Sequence, residues 1–383
     1  MNFEMRRIGV LTGGGDCAGL NPAIKWVVKT AMDDPLARGS HIRYEILGIR
    51  DGWKGLFDVD PGNSTTIEKY ITPLNPSIVR TWDRFGGTML GTSRWGPYKS
   101  KEETTSEKSQ KVIENIRELG LHAIIAIGGD GTLAIANKLA KEGINIIGIP
   151  KTIDKDLPDT DYTLGYETAL NVITEEVDRL RTTAGSHKRI FVVETMGRTA
   201  GWLALEGGEA CGAYIILIPE YPFEISKVNA LILRAKELGN RYEIIVVAEG
   251  ATIKGRSEVV RKEGVDNFQN KALGGIGAVV AQEIEQGTGL ETRSVTLSHL
   301  QRGGAPCAYD RRMGRYFGIA AVDLALNEDF GRMVCVNNGK FSSCPLETIY
   351  KRIEKKGLSL VDITTQYDTA RYNGRRSILN SGK

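Results

Sequence analysis

Residues 123–132 read Ala-Ile-Ile-Ala-Ile-Gly-Gly-Asp-Gly-Thr, a short apolar run that ends in a glycine turn. The run is continuous rather than alternating, which is typical of a strand covered by helices on both faces. Consecutive glycines directly after such a strand let backbone N–H groups approach an anion closely. The stretch therefore predicts a buried parallel strand followed by a phosphate-binding turn.

Similar short apolar runs recur along the chain, at Ile8–Thr12, Ile42–Ile49, Ile144–Ile149, Ile190–Thr195, Ala213–Ile218, Glu243–Ala248 and Ser294–Leu297. Between them lie helical patterns, at Ala23–Met32 with Asn21 as N-cap, Lys108–Leu119 before Gly120, Glu167–Arg181, and Ile276–Gln286 before Gly287. Strands that alternate with helices indicate an α/β protein with mostly parallel sheets. Ligands of such sheets bind beyond the carboxyl ends of the strands.

The composition is that of an ordinary globular protein, with 41% hydrophobic and 25% charged residues among 383. A net charge of +3, with both signs mixed along the chain, gives no reason to expect a nucleic-acid partner. The five cysteines are odd in number and form no C-x-x-C pair, which favours a reducing compartment. Because no apolar run approaches the roughly 18–20 residues of a membrane span, we expect a cytoplasmic protein without a membrane partner.

A second glycine turn, Thr12-Gly13-Gly14-Gly15-Asp16, also follows a predicted strand and precedes a helix. Gly19 is not followed by Lys-Ser or Lys-Thr, so the segment is not a P-loop. The spacing Gly13-x-Gly15-x-x-Ala18 loosely fits a dinucleotide fingerprint, and a tight structural turn is the simpler alternative. Two such turns in one chain favour phosphate binding.

A third loop, Pro150 to Asp159, is dense in carboxylates and bracketed by prolines. A calcium loop is excluded, because its sixth position carries Asp159 rather than glycine. The chemical interpretation is a general base together with a metal-associated acid, and the alternative is a charged surface loop. Asp130, inside its glycine turn, also suits a divalent cation beside a phosphate.

Basic residues follow or precede several predicted strands, namely Arg189, Arg198, Arg293, His299 and Arg302. If these side chains lie together in one cleft, they would bind a phosphorylated substrate. The alternative is that each is a separate charge on the protein surface. Gly-x-Ser-x-Gly and H-E-x-x-H motifs are absent, so acyl-transfer hydrolysis and zinc chemistry have no support.

In order along the chain these segments resemble the 6-phosphofructokinase family, from about residue 8 to about residue 330. The matching stretches are Thr12–Ile24, Gly86–Arg94, Gly128–Leu133, Pro150–Ala169, Arg189–Leu203, Ala248-Glu249-Gly250 and Glu291–Arg311. The Gly-Gly-Asp-Gly-Thr turn is shared with diacylglycerol and NAD kinases. The combination of Pro-Lys-Thr-Ile-Asp-x-Asp with Met-Gly-Arg and Gln-Arg-Gly-Gly is specific to the family.

The resemblance implies phosphoryl transfer to the 1-hydroxyl of fructose 6-phosphate with Mg²⁺, giving fructose 1,6-bisphosphate. Asp154 would be the base, with Thr152 beside it, and Asp130 the Mg²⁺-associated acid, supported by Asp156. The implied donor site consists of Gly14, Arg94, Gly131, Thr132 and Lys151. The implied sugar site consists of Thr152, Asp154, Asp156, Met196, Gly197, Arg198 and Glu249, with the 6-phosphate held by Arg189, Arg293, His299 and Arg302. Thr152, Asp154, Arg198 and Gly14 are the expected catalytic residues.

Two Rossmann-like lobes with the active site in the cleft between them are implied as well. The expected donor lobe is 1–165 plus 301–351, and the expected sugar-phosphate lobe is 166–300 plus 352–383. In the family, the residues matching Arg189 and Arg293 reach across from a neighbouring subunit. A homodimer or homotetramer with shared active sites is therefore expected.

Two positions bear on the phosphoryl donor and disagree. Gly131 leaves room for the α-phosphate of a nucleotide, where pyrophosphate users commonly carry aspartate. Lys151 is typical of pyrophosphate users, and many strictly ATP-dependent members have glycine there. The pair resembles the mixed-substrate group, and we expect ATP because Gly131 removes a steric and like-charge block, with pyrophosphate as the alternative.

Lys155 departs from the family, which usually has asparagine or glycine between the two acids. Facing the reaction centre, its cation would stabilise the Asp154 carboxylate and weaken it as a base; otherwise it faces solvent or a neighbouring acid. Other classes explain less of the chain. An NAD-dependent oxidoreductase, with Asp33 or Asp34 on the ribose, leaves the acidic loop unexplained, and an NAD or lipid kinase leaves the sugar-site segments unexplained. A non-catalytic sugar-phosphate sensor is disfavoured by Asp130, Asp154 and Arg198.

Overall fold

The structure is a computed structural model that describes residues 3–33, 41–98, 103, 105–265 and 271–375. Its strands are β1 (Glu4–Thr12), β2 (Ile42–Ile49), β3 (Ile71–Leu74), β4 (Leu121–Gly128), β5 (Ile146–Pro150), β6 (Ile190–Thr195), β7 (Ile215–Leu217), β8 (Glu243–Ala248), β9 (Val260–Val265), β10 (Lys271–Leu273), β11 (Thr292–Thr296), β12 (Arg332–Asn337), β13 (Lys340–Pro345), β14 (Tyr367–Asp368) and β15 (Asn373–Gly374). The alternative ribose residue Asp34 lies outside the described residues, as do parts of the charged insert 98–110 and of the C-terminal tail.

The helices connect these strands in the alternating pattern that the sequence predicts. They are α1 (Leu20–Ala31), α2 (Trp53–Asp58), α3 (Ser64–Tyr70), α4 (Glu107–Glu118), α5 (Asp130–Lys141), α6 (Tyr166–His187), α7 (Trp202–Ala210), α8 (Ile225–Glu237), α9 (Ile276–Thr288), α10 (Ala308–Leu326) and α11 (Leu346–Lys356). None of the helices in the described part of the chain is long and apolar enough to cross a bilayer.

Two compact units divide the chain. The first comprises Met1–Thr152, Leu157–Thr168 and Arg302–Gly357, and the second comprises Ile153–Asp156, Ala169–Gln301 and Leu358–Lys383. The expected lobes have boundaries close to these, and their assignment to donor and sugar phosphate stays a prediction.

Unit 1 contains a seven-stranded sheet in the order β13-β12-β5-β4-β1-β2-β3. Its central pairs are parallel, and β3 and β13 join the edges antiparallel. The central strands are buried on both faces, as the continuous apolar runs predict. Helices α1 and α10 pack closely, because a Cβ at Gly314 of α10 would lie only 2.6 Å from Pro22 of α1.

Unit 2 contains a four-stranded parallel sheet in the order β11-β6-β8-β7. Every residue of β6 and of β8 is buried. The α/β class with mostly parallel sheets is therefore confirmed, and three strands (β2, β6 and β8) have the bounds that the sequence predicts.

Two helix ends differ from the prediction. Asn21 is not an N-cap: α1 begins at Leu20, with Gly19 at the N-cap position two residues earlier than predicted. The Asn21 side-chain amide instead donates to the carbonyls of Phe85 and Gly86 at 2.9 and 3.1 Å. Gly287 does not end α9, which continues to Thr288 and is capped by Gly289 in the left-handed region. Gly287 instead faces α8: a Cβ there would lie 2.0 Å from the side-chain nitrogen Nδ2 of Asn229, which would have to move.

Candidate active site

Three loops meet at the carboxyl edge of the unit 1 sheet, where β1, β4 and β5 end side by side. The backbone N–H of Gly13 donates to the carbonyl of Ile127 at 3.0 Å, and that of Lys151 donates to Gly128 at 3.0 Å. The two glycine turns and the start of the acidic loop are thus brought together by strand order, as the sequence predicts for a phosphate site at this edge.

One buried side chain, Thr132, ties the two glycine turns together. A Cβ at Gly13 would lie 2.6 Å from its Oγ1, and a Cβ at Gly128 would lie 2.3 Å from its Cβ. Thr132 is only 1% exposed. The Thr132 side chain therefore packs between the two turns. Any contact of this residue with the phosphoryl donor would come from its backbone, in the first turn of α5.

Lys151 lies against the first glycine turn. Its side chain is 3% exposed, and its Nζ donates to the carbonyl of Gly15. A Cβ at Gly14, where φ is +77°, would lie 3.6 Å from that nitrogen. The charge of a buried ammonium is only weakly screened by solvent. This cation is therefore well suited to a compact anionic donor held by the same turn.

The predicted donor residue Arg94 belongs to a segment hydrogen-bonded to the same turn. Gly14 donates its N–H to the carbonyl of Ser93 at 3.0 Å, and the Thr92 hydroxyl donates to the carbonyl of Gly14 at 2.8 Å. The Arg94 side chain is exposed. Its position beside Gly14 agrees with a donor contact.

Arg302, predicted for the sugar 6-phosphate, lies in unit 1 and is buried. Its Nη1 donates to the carbonyl of Asp16 at 3.1 Å, and a Cβ at Gly15 would lie 2.7 Å from the same nitrogen. The guanidinium is thus placed beside the Gly13–Gly15 turn. Its predicted partner His299 is an exposed residue of unit 2, whose Nδ1 lies 3.1 Å from Ser298 Oγ.

The acidic loop passes from one unit to the other between Thr152 and Ile153. On the unit 1 side, the carbonyl of Thr152 accepts from the Thr163 hydroxyl at 2.6 Å, and Leu164 donates its N–H to the carbonyl of Pro150 at 3.1 Å. The start of the loop is therefore held by the segment that follows it.

On the unit 2 side, Asp154 and Asp156 are both buried, at 4% and 6% exposure. Lys155 between them has φ of +54°, and its Nζ lies 2.7 Å from Oε1 of Glu206. The open question about Lys155 is thus answered: its side chain is directed to a neighbouring acid on α7.

Sugar-site candidates lie at the carboxyl edge of the unit 2 sheet, after β6, β8 and β11. The N–H of Met196 donates to Oε1 of Gln301 at 2.8 Å, and the N–H of Arg198 donates to Oε1 of Glu249 at 3.2 Å. Arg198 has φ of +56°, and a Cβ at Gly250 would lie 2.0 Å from its carbonyl oxygen. The structure therefore joins Arg198 to Glu249, with Met196 two residues before Arg198 at the end of β6.

Arg189 and Arg293 are not at that edge. They lie at the amino ends of β6 and β11, where both pair with Glu291 at 2.6 Å. A six-residue strand separates them from Met196, which is a distance of roughly 17–20 Å. Within one chain these two arginines do not join the other sugar-site residues, which is the arrangement expected if they act in a neighbouring subunit.

Asp310, which the sequence interpretation missed, is a fully buried carboxylate in the first turn of α10. It accepts from the Tyr162 hydroxyl at 2.5 Å, the Gly165 N–H at 2.6 Å, and the N–H and hydroxyl of Thr168 at 2.9 and 2.6 Å. Burial, reinforced by this carboxylate, raises the pKa of Tyr162 well above its usual value. The sequence signal that could have identified Asp310 is its position as an acidic residue shortly after the Gln-Arg-Gly-Gly motif.

Glu220 was missed too. Its Oε1 accepts the N–H groups of Gly201 at 2.8 Å and Val361 at 3.0 Å, which connects α7 to the C-terminal segment of unit 2. Burial raises the pKa of this carboxyl above 4.5, against the lowering effect of the two N–H donors. No motif surrounds Glu220, so the sequence carries no signal for it.

The described residues contain no cluster of three or more His, Cys, Asp or Glu side chains that could hold a metal by themselves. Mg²⁺ usually keeps several waters and binds one or two carboxylates together with substrate phosphates. A half-buried carboxylate such as Asp130, at the phosphate-binding edge, fits an ion that arrives with the donor.

The chain is an α/β protein with two mostly parallel sheets, and predicted site residues lie at the carboxyl edge of each sheet. A sequence model described as phosphofructokinase matches residues 7–325. The chain therefore belongs to the phosphofructokinase family. The oxidoreductase, NAD or lipid kinase alternatives are set aside by this match.

Relatives with either donor in their names are similar to the chain. The pyrophosphate–fructose 6-phosphate 1-phosphotransferase of Amycolatopsis methanolica is 47% identical over 331 residues, which cover 86% of this chain and 90% of the relative. The ATP-dependent 6-phosphofructokinase of Chloroflexus aurantiacus is 43% identical over 349 residues, covering 90% and 91%. The solved pyrophosphate-dependent phosphofructokinase of Nitrosospira multiformis shares the fold, with a TM-score of 0.78, 21% identity, and coverage of 97% and 89%. The higher identity to the pyrophosphate-dependent relative than to the ATP-dependent one favours pyrophosphate over the expected ATP.

Proposed function

We propose that this protein is a 6-phosphofructokinase that transfers a phosphoryl group from pyrophosphate to the 1-hydroxyl of fructose 6-phosphate. The products are fructose 1,6-bisphosphate and orthophosphate. The single observation that carries the donor proposal is the buried Lys151 ammonium on the Gly13–Gly15 turn. A fixed cation there neutralises a compact donor, whose charge is concentrated on two phosphates.

Asp154 is the proposed general base. It takes the proton of the 1-hydroxyl as the hydroxyl oxygen attacks the transferred phosphorus, and the P–O bond to the leaving orthophosphate breaks. Thr152 and Arg198 would position the reacting groups, and Gly14 offers its turn to the donor. The remaining donor residues are Arg94, Gly131 and Thr132, and the sugar is held by Met196, Gly197 and Glu249.

Mg²⁺ would be held by Asp130, with Asp156 in support, together with donor phosphate oxygens. When bound, the ion neutralises charge on the transferring phosphoryl group and orients it. We further assign the donor to unit 1 and the sugar phosphate to unit 2, with His299 on its 6-phosphate. Arg302, expected on the same phosphate, lies in unit 1 beside the Gly13–Gly15 turn. Arg189 and Arg293 would complete that phosphate site in a neighbouring subunit of a cytoplasmic homodimer or homotetramer.

ATP remains the second candidate donor, favoured by Gly131, which adds no side chain beside the phosphates, and by the ATP-dependent relative. The deciding experiment measures fructose 1,6-bisphosphate formation from fructose 6-phosphate and Mg²⁺ with each donor in turn. We expect a higher kcat/KM with pyrophosphate. A higher kcat/KM with ATP would reverse the donor, and no turnover with either would refute the function.

The role of Asp154 is tested in the same assay. Asp154→Asn is expected to lower kcat by about 10²–10⁴-fold while fructose 6-phosphate still binds, because the amide cannot accept the proton. Asp161→Asn, at an exposed carboxylate seven residues further along the same loop region, is the matched control and should keep near-normal turnover. Near-normal turnover of Asp154→Asn would remove Asp154 from this role.

A further inference from the structure

Lys155 has a backbone conformation that its side chain does not favour. It lies between Asp154 and Asp156 with φ of +54°, in the left-handed region. For a residue other than glycine, asparagine or aspartate, this region is disfavoured by roughly 5–30-fold in population. The conformation of the acidic loop at this point therefore needs support from the surrounding structure.

The support comes from helix α7. Lys155 Nζ lies 2.7 Å from Oε1 of Glu206, and the same ammonium lies 5.0 Å from the centroid of the Trp202 ring. Trp202 and Glu206 are four residues apart, so they present their side chains on one face of the helix. Both members of the ion pair are half-buried, at 25% and 32% side-chain exposure. Partial burial makes such a pair less screened than a surface ion pair.

The other side of the loop is attached to the same helix through Ser359. The Ser359 N–H donates to the carbonyl of Asp156 at 2.8 Å, and the Ser359 carbonyl accepts from the Trp202 indole N–H at 3.0 Å. Lys155, Trp202 and Ser359 thus connect the loop to α7 at two points. We call Lys155, Glu206 and Trp202 the lysine clasp.

We propose that the lysine clasp holds Asp154 in its productive orientation, so that Lys155 is a positioning residue for phosphoryl transfer. This inference rests on the proposed function, since it takes Asp154 as the base. Lys155 itself does not need to touch either substrate, because its ammonium is directed to Glu206. Asparagine and glycine adopt the left-handed conformation by themselves, whereas lysine at this position uses an anchor.

The test compares four variants of the full-length protein by kcat, by KM for fructose 6-phosphate and by melting temperature. Lys155→Met and Glu206→Gln each break the ion pair, and both should lower kcat by about 5–30-fold with KM changed less than about threefold. Lys155→Arg keeps the pair, and Lys155→Asn tolerates positive φ without it. Both should stay within about threefold of the wild-type kcat. Lys254→Met, which breaks an exposed ion pair of the same unit with Glu224, is the control and should leave kcat unchanged.

The double variant Lys155→Met/Glu206→Gln should be no slower than the slower single variant, because the two changes break one interaction. An unchanged kcat in Lys155→Met with a lowered melting temperature would reduce the clasp to a structural contact. Equal losses in Lys155→Met and Lys155→Asn would overturn positioning in favour of direct contact with the reacting groups. If wild-type protein turns over and Lys155→Met does too, this inference fails alone. If wild-type protein turns over with neither donor, the proposed function fails and the clasp role is refuted with it.

Discussion

Replacing Asp310 by asparagine should destabilise the protein strongly, although the change adds no volume. Four N–H and O–H donors converge on the two carboxylate oxygens, with the Cys307 thiol 3.8 Å from Oδ2, and none of the residue is accessible to solvent. An amide offers one oxygen and one NH₂ group. Whichever way it is turned, the NH₂ group faces a buried backbone N–H, either that of Gly165 or that of Thr168.

The magnitude follows from these contacts. One orphaned buried N–H costs about 1–3 kcal/mol, and replacing charge-assisted by neutral hydrogen bonds removes about 1 kcal/mol more. We therefore expect a loss of about 2–4 kcal/mol, or a melting temperature lower by on the order of 5–15 °C for a domain of about 200 residues. Thermal unfolding followed by circular dichroism, with urea midpoints in parallel, measures both quantities.

The matched control is Asp323→Asn, an exposed position on the same helix. It should change stability by less than about 0.5 kcal/mol. If Asp310→Asn melts within about 1 °C of this control, the carboxylate is not the organising group that its four contacts indicate.

Three further predictions concern the carboxylates of Asp130 and Glu220 and the ammonium group of Lys151. Asp130→Asn should raise the Mg²⁺ concentration needed for half-maximal turnover by about tenfold or more, because a neutral amide binds the ion weakly; an unchanged Mg²⁺ requirement in a titration at fixed donor would contradict this. Lys151→Met should lower kcat/KM for pyrophosphate by about 10–100-fold, the loss of one charge-assisted contact, and that for ATP by less; equal losses would argue against a donor-specific role. For Glu220, burial raises the folded pKa above 4.5, so its contribution to stability falls as pH rises from 4.5 through the folded pKa. Glu220→Gln keeps an acceptor oxygen for both N–H donors, so its stability relative to wild type should increase over that pH range. If the urea midpoints of the two proteins change in the same way from pH 4 to 8, the linkage is disproved.

The sheets were predictable from the sequence because buried parallel strands carry their own signal. β6 and β8 are continuous apolar runs between clear turns, and both begin and end where those runs do. The glycine turns after β1 and β4 were predictable because their glycines directly follow such runs, and the strand order then brings both turns to one edge.

Contacts between distant segments could not be predicted in this way. Asn21 has the residue type and position of an N-cap, but its amide is used by Phe85 and Gly86, more than sixty residues away. Gly287 resembles a helix stop, yet α9 continues past it and its Cα faces the Asn229 side chain of α8. The direction of Lys155 depends on Glu206, fifty-one residues further on. In each case the local sequence allows two structural roles for the residue, and a contact with a distant segment determines which one it has.

The packing of Thr132 between Gly13 and Gly128 has a consequence for how such an enzyme can change its phosphoryl donor. A methyl group added to either turn would collide with the threonine, and a larger residue at 132 would push the two turns apart. A substitution in one turn therefore requires a compensating change at Thr132 or in the other turn, so the two turns vary together as one piece. Adaptation to a different donor is left to side chains that can vary without disturbing that piece, and the charges of Lys151 and Arg302 both reach it.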